Sequence, residues 1–415
     1  MRLLFCSAQL PGHLDWGGYL PTAVELAQRG HTVLWASGAA VGKRVAAAGL
    51  SFQVLEETGW RWPPPPPLPA PAIQDEAWQQ RRALRALDQW LDVERVAAAT
   101  TELALVAEAF QPDMIVTEPF VAAAGLVAEQ AGVPLVVAGW PAFERKAETG
   151  AEARPGTQSE LVALARRRLA ELTLGFGLQG RNWTPEGPPA VYSPHLHITY
   201  WSPAWYGPQT LGGQTRHVGG APTPKAAADR GLPPPDQLPW VLITLGTSFN
   251  NDPNFFLAAA HASARLGCLP IVALGRHAQP EDETWLRRLP AGTPVRCLIA
   301  FDAVLPYLAA AIHHGGAGTT HALVTCAVPQ IVVPHAADQT YQGAGVVHSG
   351  VGYYMPPKNV TVDSLEAALA TLLPDLSEFR SRARQVQAEF AALGGAQAAA
   401  DAIEHAAKGT TQKSN

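Results

Sequence analysis

The stretch AAIHHGGAGTTHALV, residues 310 to 324, decides the fold of this chain. An apolar run ends in two histidines and two glycines, and a segment with helical character follows a third glycine. This order predicts a buried strand, a glycine turn and a helix. Such a turn directs free backbone N–H groups and the positive end of the helix dipole at one point, where an anion can bind.

The glycines of this stretch allow two interpretations. A tight turn from strand to helix favours glycine whatever its function. The neighbouring side chains favour phosphate binding, because His314 can donate a hydrogen bond and Thr319 and Thr320 carry hydroxyls. We therefore predict that the turn holds phosphate.

Two further strand ends carry polar residues. VPHAADQ, 333 to 339, places Asp338 beside Gln339, and a carboxylate next to a carboxamide suits the hydroxyls of a sugar. Capping of a helix by Asp338 is the alternative. TLGTSFNND, 244 to 252, offers Gly246, Thr247 and Ser248, which can hold phosphate or cap a helix.

Predicted strands alternate with helices along the whole chain. The strands cover 2–8, 31–37, 113–118 and 134–139 in the first half, and 240–246, 270–275, 295–300, 310–315 and 329–334 in the second. This alternation predicts an α/β fold with two doubly wound, Rossmann-like parallel sheets in two domains that face each other across a cleft.

Composition sets the expected domain boundaries. Residues 1–205 form the first domain, a Gly- and Pro-rich linker covers 206–239, and 240–375 form the second domain. The Ala-rich segment 376–415 is expected to be helical, to pack back on the first domain and to end in a frayed tail. The proline-rich run at 61–71 is expected to be a stiff surface loop.

The overall composition excludes several classes of protein. Of the 415 residues 47% are hydrophobic and 16% charged, and the net charge is −5, so no nucleic-acid partner is expected. Cys6, Cys268, Cys297 and Cys326 form no CxxC pair, which indicates neither zinc nor disulfides. No signal peptide or membrane span is recognisable. We expect a soluble cytoplasmic protein with small or apolar partners, and peripheral membrane contact stays open.

One histidine stands out near the N-terminus. His13 follows the first predicted strand, at the carboxyl end where open α/β sheets place their ligands. Imidazole suits a base because its pKa lies near neutrality. A structural role is the alternative, and we assign it to His31.

The run HGGAGTTHALVTCAVPQIVVPHAADQ, 314 to 339, resembles the donor-binding signature of the nucleotide-sugar glycosyltransferase superfamily, which includes macrolide, sterol and plant natural-product enzymes. The resemblance implies the GT-B fold, with the acceptor bound by the first domain and the donor by the second. It also implies transfer of a sugar from a UDP- or dTDP-linked donor to a hydroxyl of an apolar acceptor, such as a polyketide, terpenoid, carotenoid or sterol-like aglycone.

The resemblance assigns donor contacts to residues of four strand ends. His314, Gly316, Gly318 and Thr319 would hold the diphosphate, with Gly246, Thr247 and Ser248 on its other side. Asp338 and Gln339 would bind the hydroxyls of the donor sugar, and Ile299 and Ala300 would lie against the base.

The resemblance also makes His13 the catalytic base. In this superfamily a carboxylate after a later strand, usually Asp, orients that histidine, and this chain offers Glu118 there. Glu is longer by one methylene, and the Pro that usually follows the histidine closely is replaced by LDWGGYL. Asp15 is the alternative partner of His13.

The predicted chemistry needs no metal and no cofactor beyond the nucleotide sugar. The chain has no Asp-x-Asp of the kind that seats a bridging metal, so backbone amides, the helix dipole, His314 and Thr319 would carry the leaving charge. Direct attack would invert the anomeric centre. Trp60, Trp62 and Trp140, in loops of the first domain, are the expected acceptor contacts.

A non-catalytic nucleotide-sugar-binding or auxiliary protein of the same fold is the alternative function. Such a protein would keep the glycine turn and lose His13 or its carboxylate. Because both are retained, an enzyme is favoured.

Overall fold

The computed structural model describes residues 1–63, 76–143, 157–221, 226–229, 231–247, 251–335, 339–374 and 377–411. The chain divides into two compact units. The first unit comprises Met1–Thr199, Thr210–Arg216 and the segment from Ala396 onward, and the second comprises Tyr200–Gln209 and His217–Gly395.

The first unit contains a seven-stranded sheet in the order β3-β2-β1-β4-β5-β6-β7, with β1 to β6 parallel. The strands are β1 (Arg2–Cys6), β2 (Thr32–Ser37), β3 (Ser51–Val54), β4 (Met114–Thr117), β5 (Leu135–Ala138), β6 (Leu196–Thr199) and β7 (Thr215–His217). The helices are α1 (Tyr19–Gln28), α2 (Ala39–Ala47), α3 (Glu76–Trp90), α4 (Val93–Phe110), α5 (Ala122–Ala131) and α6 (Thr157–Gly175), with α14 (Gly395–Thr411) at the end of the chain.

The second unit contains a six-stranded parallel sheet in the order β10-β9-β8-β11-β12-β13. The strands are β8 (Trp240–Thr244), β9 (Leu269–Ala273), β10 (Val295–Arg296), β11 (Leu308–His313), β12 (Gln330–Val332) and β13 (Gly352–Tyr354). The helices are α7 (Pro253–Arg265), α8 (Glu283–Leu286), α9 (Phe301–Val304), α10 (Ala317–Thr325), α11 (Gln339–His348), α12 (Val362–Leu372) and α13 (Glu378–Ala392).

Central strands of these parallel sheets are buried on both faces. Every residue of WVLIT in β8 and LPIVA in β9 is buried. A strand without a polar face must be covered on both sides, which helices of a βαβ arrangement provide. The predicted α/β class with two parallel sheets is therefore confirmed.

The strand orders define where each sheet can bind a ligand. Order reverses between β1 and β4 in the first sheet and between β8 and β11 in the second. Ligands of open α/β sheets bind outside the carboxyl ends of the strands at such a switch point. The residues that follow these four strands are thus the first candidates for a site.

The domain boundaries differ from those expected. Residues 206–239 are not a separate linker, because Thr210–Arg216 join the first unit and lead into β7, while the chain from His217 belongs to the second. Trp201 and Trp205 lie in the second unit, where both rings contact Phe390 of α13. The apolar face of α13, with Ala383, Val386 and Phe390 buried, holds it in that unit.

Of the two helices in the expected C-terminal segment 376–415, α14 belongs to the first unit from Ala396 onward, and α13 belongs to the second. Arg29 Nη1 lies 2.6 Å from Asp401 Oδ1, and His31 Nε2 lies 2.8 Å from Glu404 Oε1. His31 thus joins the N-terminal part of the chain to α14. Among the described residues, no helix combines the length and the apolarity that crossing a bilayer requires. Most of the proline-rich run, 64–71, lies outside the described residues.

Candidate active site

The switch point of the first sheet brings His13 and Glu118 together. β1 and β4 are in register with Cys6 opposite Thr117, so the chain that follows each strand leaves the sheet at the same place. A short 3-10 helix, Pro11–Leu14, follows β1 and carries His13, and Glu118 directly follows β4. Nδ1 of His13 lies 3.2 Å from Oε1 of Glu118.

Backbone donors compensate the burial of the Glu118 side chain, which is fully buried. Oε1 accepts a hydrogen bond from the backbone N–H of Ala8 at 3.1 Å, and Oε2 accepts one from Phe120 N–H at 3.0 Å. A buried carboxylate is tolerated only with such partners. Burial first, and then the charge of Glu118, raise the pKa of the neighbouring Cys6 thiol far above its usual value, so Cys6 stays protonated.

The contact with Glu118 fixes the tautomer of His13. A carboxylate oxygen accepts hydrogen bonds, so Nδ1 of His13 carries the hydrogen, and in the neutral ring the lone pair is then on Nε2. His13 therefore has the arrangement of a base whose second nitrogen is oriented by an acid.

Asp15 does not take this place. Its backbone carbonyl accepts hydrogen bonds from Gly18 N–H at 2.6 Å and Tyr19 N–H at 2.8 Å at the start of α1. Its side chain lines an open groove together with Arg44 and Glu25. No ion pair joins Asp15 to His13 in the described part of the chain.

Aromatic rings surround His13. Trp60 lies 4.9 Å from it between ring centroids, Trp16 lies at 5.4 Å and Phe120 at 5.5 Å. Trp140 reaches the same cluster through Trp16, at 6.0 Å. Within the described residues, no ring contact joins Trp62 to His13.

Sequence reasoning missed Trp16 and Phe120. Both were identifiable as aromatic residues within three positions of His13 and Glu118. Trp16 has a φ of 40°, which is uncommon for a bulky residue, and a Cβ added at Gly139 would lie 2.7 Å from its ring. Nε1 of Trp16 is buried and meets no hydrogen-bond acceptor among the described residues.

The switch point of the second sheet brings the turn after β8 to the glycine turn after β11, because Thr244 is opposite His313. The imidazole of His314 lies between two glycines. A Cβ added at Gly246 would be 2.6 Å from Cε1 of His314, and one added at Gly316 would collide with Nε2. These two positions thus exclude larger residues because of the histidine ring, in addition to any need of a ligand.

His314 is a neutral residue. Burial above all, followed by repulsion from His313 and His335, lowers its pKa to about 3. At neutral pH it supplies no positive charge, and its ring hydrogen-bonds the backbone of Thr244.

His313, which the sequence left unassigned, fixes the glycine turn. Its Nδ1 accepts a hydrogen bond from Gly315 N–H at 3.1 Å, so its Nε2 carries the hydrogen and donates to Oε1 of Gln330 at 2.9 Å. Burial lowers the pKa of His313 to about 4, which keeps this tautomer neutral. The two interactions tie the turn to β12.

The helix after the turn begins without a side-chain cap. α10 starts at Ala317 with Gly316 as N-cap, so Gly318 and Thr319 lie in its first turn, where backbone N–H groups have no partner within the helix. The hydroxyl of Thr320 donates to the carbonyl of Gly316 at 2.9 Å and is occupied in that bond. Thr319 is therefore the better candidate for a hydroxyl that meets a ligand.

The remaining donor candidates, Thr247, Ser248, Asp338 and Gln339, differ in where they lie. Ser248 and Asp338 lie outside the described residues, whereas Thr247 is exposed. Gln339 begins α11, and its Oε1 accepts a hydrogen bond from His335 N–H at 2.6 Å. This carboxamide oxygen is thus engaged within the protein.

The segment before α9 presents side chains other than those expected. Ile299 is partly buried and packs against buried residues of the second unit, and Ala300 is the N-cap of α9. Leu298 is 65% exposed and Phe301 37% exposed. If this segment meets a nucleobase, Leu298 and Phe301 are better placed than Ile299.

The chain is similar to known proteins, over part of its length in some comparisons and over nearly all of it in others. Residues 271–405 match the model of the erythromycin biosynthesis protein CIII-like C-terminal domain. The elloramycin glycosyltransferase ElmGT of Streptomyces olivaceus is 31% identical over 69% of this chain and 66% of its own length. The 4'-demethylrebeccamycin synthase of Lentzea aerocolonigenes is 24% identical over 97% of this chain and 99% of its own length. NDP-glycosyltransferase YjiC of Bacillus subtilis is 32% identical, and the chain covers 42% of it.

Solved structures show the same fold along nearly the whole chain. The glycotransferase of kitacinnamycin superimposes with a TM-score of 0.75 at 21% identity, covering 98% of both chains. The spinosyn rhamnosyltransferase SpnG, solved with thymidine diphosphate, superimposes with a TM-score of 0.69 at 20% identity, covering 97% of this chain and all of the other. The two parallel sheets are those of the GT-B fold.

Proposed function

We propose that this chain, which belongs to the nucleotide-sugar-dependent glycosyltransferase superfamily, transfers a sugar from a UDP- or dTDP-linked donor to a hydroxyl of an apolar natural-product acceptor, with inversion and without a metal ion. The observation that carries the proposal is the contact of His13 Nδ1 with the buried carboxylate of Glu118 at 3.2 Å. Thymidine diphosphate in the structure of SpnG supports a dTDP-linked donor.

His13 is the general base of this reaction. Its Nε2 takes the proton of the acceptor hydroxyl while the oxygen attacks the anomeric carbon. The imidazolium that forms is stabilised by Glu118, which cannot turn away because Ala8 N–H and Phe120 N–H hold both of its oxygens. Glu118 is thus a positioning residue that also compensates charge.

The donor diphosphate is bound at the start of α10. The uncapped N–H groups of its first turn, the helix dipole and the hydroxyl of Thr319 can take up the charge that develops on the leaving diphosphate. His314 packs between Gly246 and Gly316 and fixes the two turns at this place. These groups are the support for a reaction without metal, in which Asp338 and Gln339 would bind the donor sugar.

The bond changes balance as a single displacement. The bond between the acceptor oxygen and the anomeric carbon forms on one face while the bond to the diphosphate oxygen breaks on the other. The proton passes to His13, and the nucleotide diphosphate leaves as the anion. An α-linked donor therefore gives a β-linked product.

The acceptor is expected to be apolar because of the rings around His13. Trp60, Phe120 and Trp140 are each partly exposed, and Trp16 lies behind them against Gly139. Aromatic side chains bind polyketide- or terpenoid-sized molecules through their faces. The named relatives ElmGT and 4'-demethylrebeccamycin synthase support a natural product as acceptor.

Two assays test the proposal. A panel of nucleotide diphosphates and nucleotide sugars is first screened for binding by thermal shift, and the sugar donors are then screened for transfer to apolar alcohols and phenols. We expect stabilisation by dTDP or UDP in the presence of a chelator, and product formation that is lost in His13→Ala. The exposed His195→Ala is the matched control and should transfer sugar normally. Unchanged transfer by His13→Ala would refute the base. Donor binding without any transfer across the panel would favour the non-catalytic alternative.

A further inference from the structure

The second unit contains an ion pair that none of the roles above uses. Nε2 of His335 lies 3.1 Å from Oδ2 of Asp252. His335 follows β12, and Asp252 precedes α7. In the sheet, β8 and β12 lie on either side of β11, so the pair joins the two connections that flank the glycine turn.

The hydrogen bonds of His335 fix the orientation of its ring in this pair. Nδ1 lies 2.8 Å from the carbonyl oxygen of Val333, which can only accept, so Nδ1 carries a hydrogen. Nε2 faces a carboxylate oxygen, which also accepts. Both ring nitrogens of His335 are therefore engaged by oxygens of the second unit, which fixes the orientation of the ring.

Asp252 is held as the anion by donors on both of its oxygens. Oδ1 accepts a hydrogen bond from Phe255 N–H at 3.1 Å as the N-cap of α7, and Oδ2 faces His335. The hydrogen bond from His335 is the first cause of a pKa of Asp252 below its usual value. The other titratable group that senses the charge of His335 is His314, whose pKa it lowers.

His335 is tied to four places at once. Besides Asp252 and Val333, its ring contacts Phe255 at 5.6 Å edge to face, and its backbone N–H donates to Oε1 of Gln339 at 2.6 Å. It thereby connects the ends of β12, α7 and α11.

We infer that the Asp252–His335 pair is a positioning device for the donor site, which holds the start of α7 next to the end of β12 on either side of the glycine turn. The inference rests on the proposed function. Neither residue touches the donor in this role, since the nitrogens of His335 and the oxygens of Asp252 are already engaged within the protein.

A double-mutant cycle on donor binding tests this inference. Asp252→Asn keeps an oxygen for the cap of α7 and removes the charge, and His335→Phe keeps the ring against Phe255 and removes both nitrogens. Each single change should raise the donor KM and the Kd for dTDP or UDP about tenfold, since interactions within one network are coupled. The double variant should bind the donor no more weakly than the weaker-binding of the two single variants. The kcat at saturating donor and the acceptor KM should change less than twofold.

A matched control separates this effect from a loss of stability. Asp363 makes an exposed ion pair, at 2.8 Å, with Arg265 at the end of α7, the helix that Asp252 caps. Because this pair lies at the other end of the helix, Asp363→Asn should leave the donor KM unchanged. The free energy of unfolding of each variant is measured in parallel, and a KM effect that persists well below the unfolding temperature supports positioning.

Three results would overturn the inference. The first is a fold-increase of donor KM in the double variant that equals the product of the two single-variant increases. The second is an equal increase of donor and acceptor KM, and the third is a nucleotide Kd of the variants that equals the wild-type value. If the wild-type protein bound no nucleotide diphosphate at all, the proposed function would fail first and this inference with it. If the wild-type protein bound the nucleotide diphosphate and the variants bound it with the same Kd, the proposed function would stand and this inference alone would fail.

Discussion

The α-carbon of Gly246 lies against the imidazole of His314, so that a methyl group at 246 would come within 2.6 Å of Cε1. Gly246 also has a φ of +69°, which side chains disfavour. The turn after β8 and the turn after β11 are therefore packed on each other through one glycine and one histidine.

Gly246→Ala should reduce the free energy of donor binding more than it reduces the free energy of unfolding. The added methyl must displace the ring of His314, and overpacking of this kind costs about 1–3 kcal/mol in the free energy of unfolding. Gly267→Ala is the matched control, because Gly267 has a φ of +70° but open space around its α-carbon. Calorimetric titration with dTDP or UDP measures the difference, and equal affinities in the two variants would contradict the prediction.

Glu118→Gln should lower kcat with little change in donor KM. A carboxamide cannot compensate the imidazolium of His13 and can present its NH₂ group to Nδ1, which favours the wrong tautomer. Loss of assisted proton transfer costs roughly 10²- to 10⁴-fold in rate. Steady-state kinetics with both substrates varied check this. A kcat within a factor of two of the wild type would remove Glu118 from the proposed mechanism.

Trp60→Ala should raise the acceptor KM, because Trp60 lies 4.9 Å from His13 and its ring is partly exposed. Loss of a ring–ring contact beyond simple burial is worth about 0.5–1.5 kcal/mol, so the KM should rise roughly two- to twelvefold. The donor KM of the same variant is the internal control. An acceptor KM that stays constant would place the acceptor elsewhere.

Stability should fall as the pH falls below about 6.5, the value of an unperturbed histidine. His197 is buried in the first unit, where Nε2 accepts from Ser193 N–H at 2.8 Å, and burial lowers its pKa to about 4. Between these two pH values the unfolded chain binds the proton and the folded chain does not. Each such histidine therefore adds a slope of at most about 1.4 kcal/mol per pH unit, with stability highest above pH 6.5.

Urea unfolding of the wild type and of His197→Asn at several pH values between 4 and 7 measures this slope. The variant should be less stable at neutral pH but should lose less stability on acidification. His313 contributes in the same sense in the second unit, since burial lowers its pKa to about 4. The same slope in variant and wild type would show that His197 protonates in the folded protein.

Much of the site was predictable because strand ends are visible in the sequence. The apolar runs before His13, Glu118, Gly246 and His314 are strands, and the sheet orders bring their carboxyl ends together in two pairs. The orientation of single side chains was less predictable. Ile299, predicted at a ligand, is partly buried and packs against core residues, while the neighbouring Leu298 is exposed, since alternation along so short a segment does not reveal which face is covered.

The sequence by itself determined the α/β class, the parallel sheets and the glycine turn, because these depend on local patterns of apolar residues and glycines. Only the tertiary structure decided which acid meets His13, since Glu118 lies 105 positions away and Asp15 only two. It also decided that His313 holds the turn through Gln330, and that α13 and α14 belong to different units. Such choices depend on which distant surfaces pack together, and a local pattern carries no information about them.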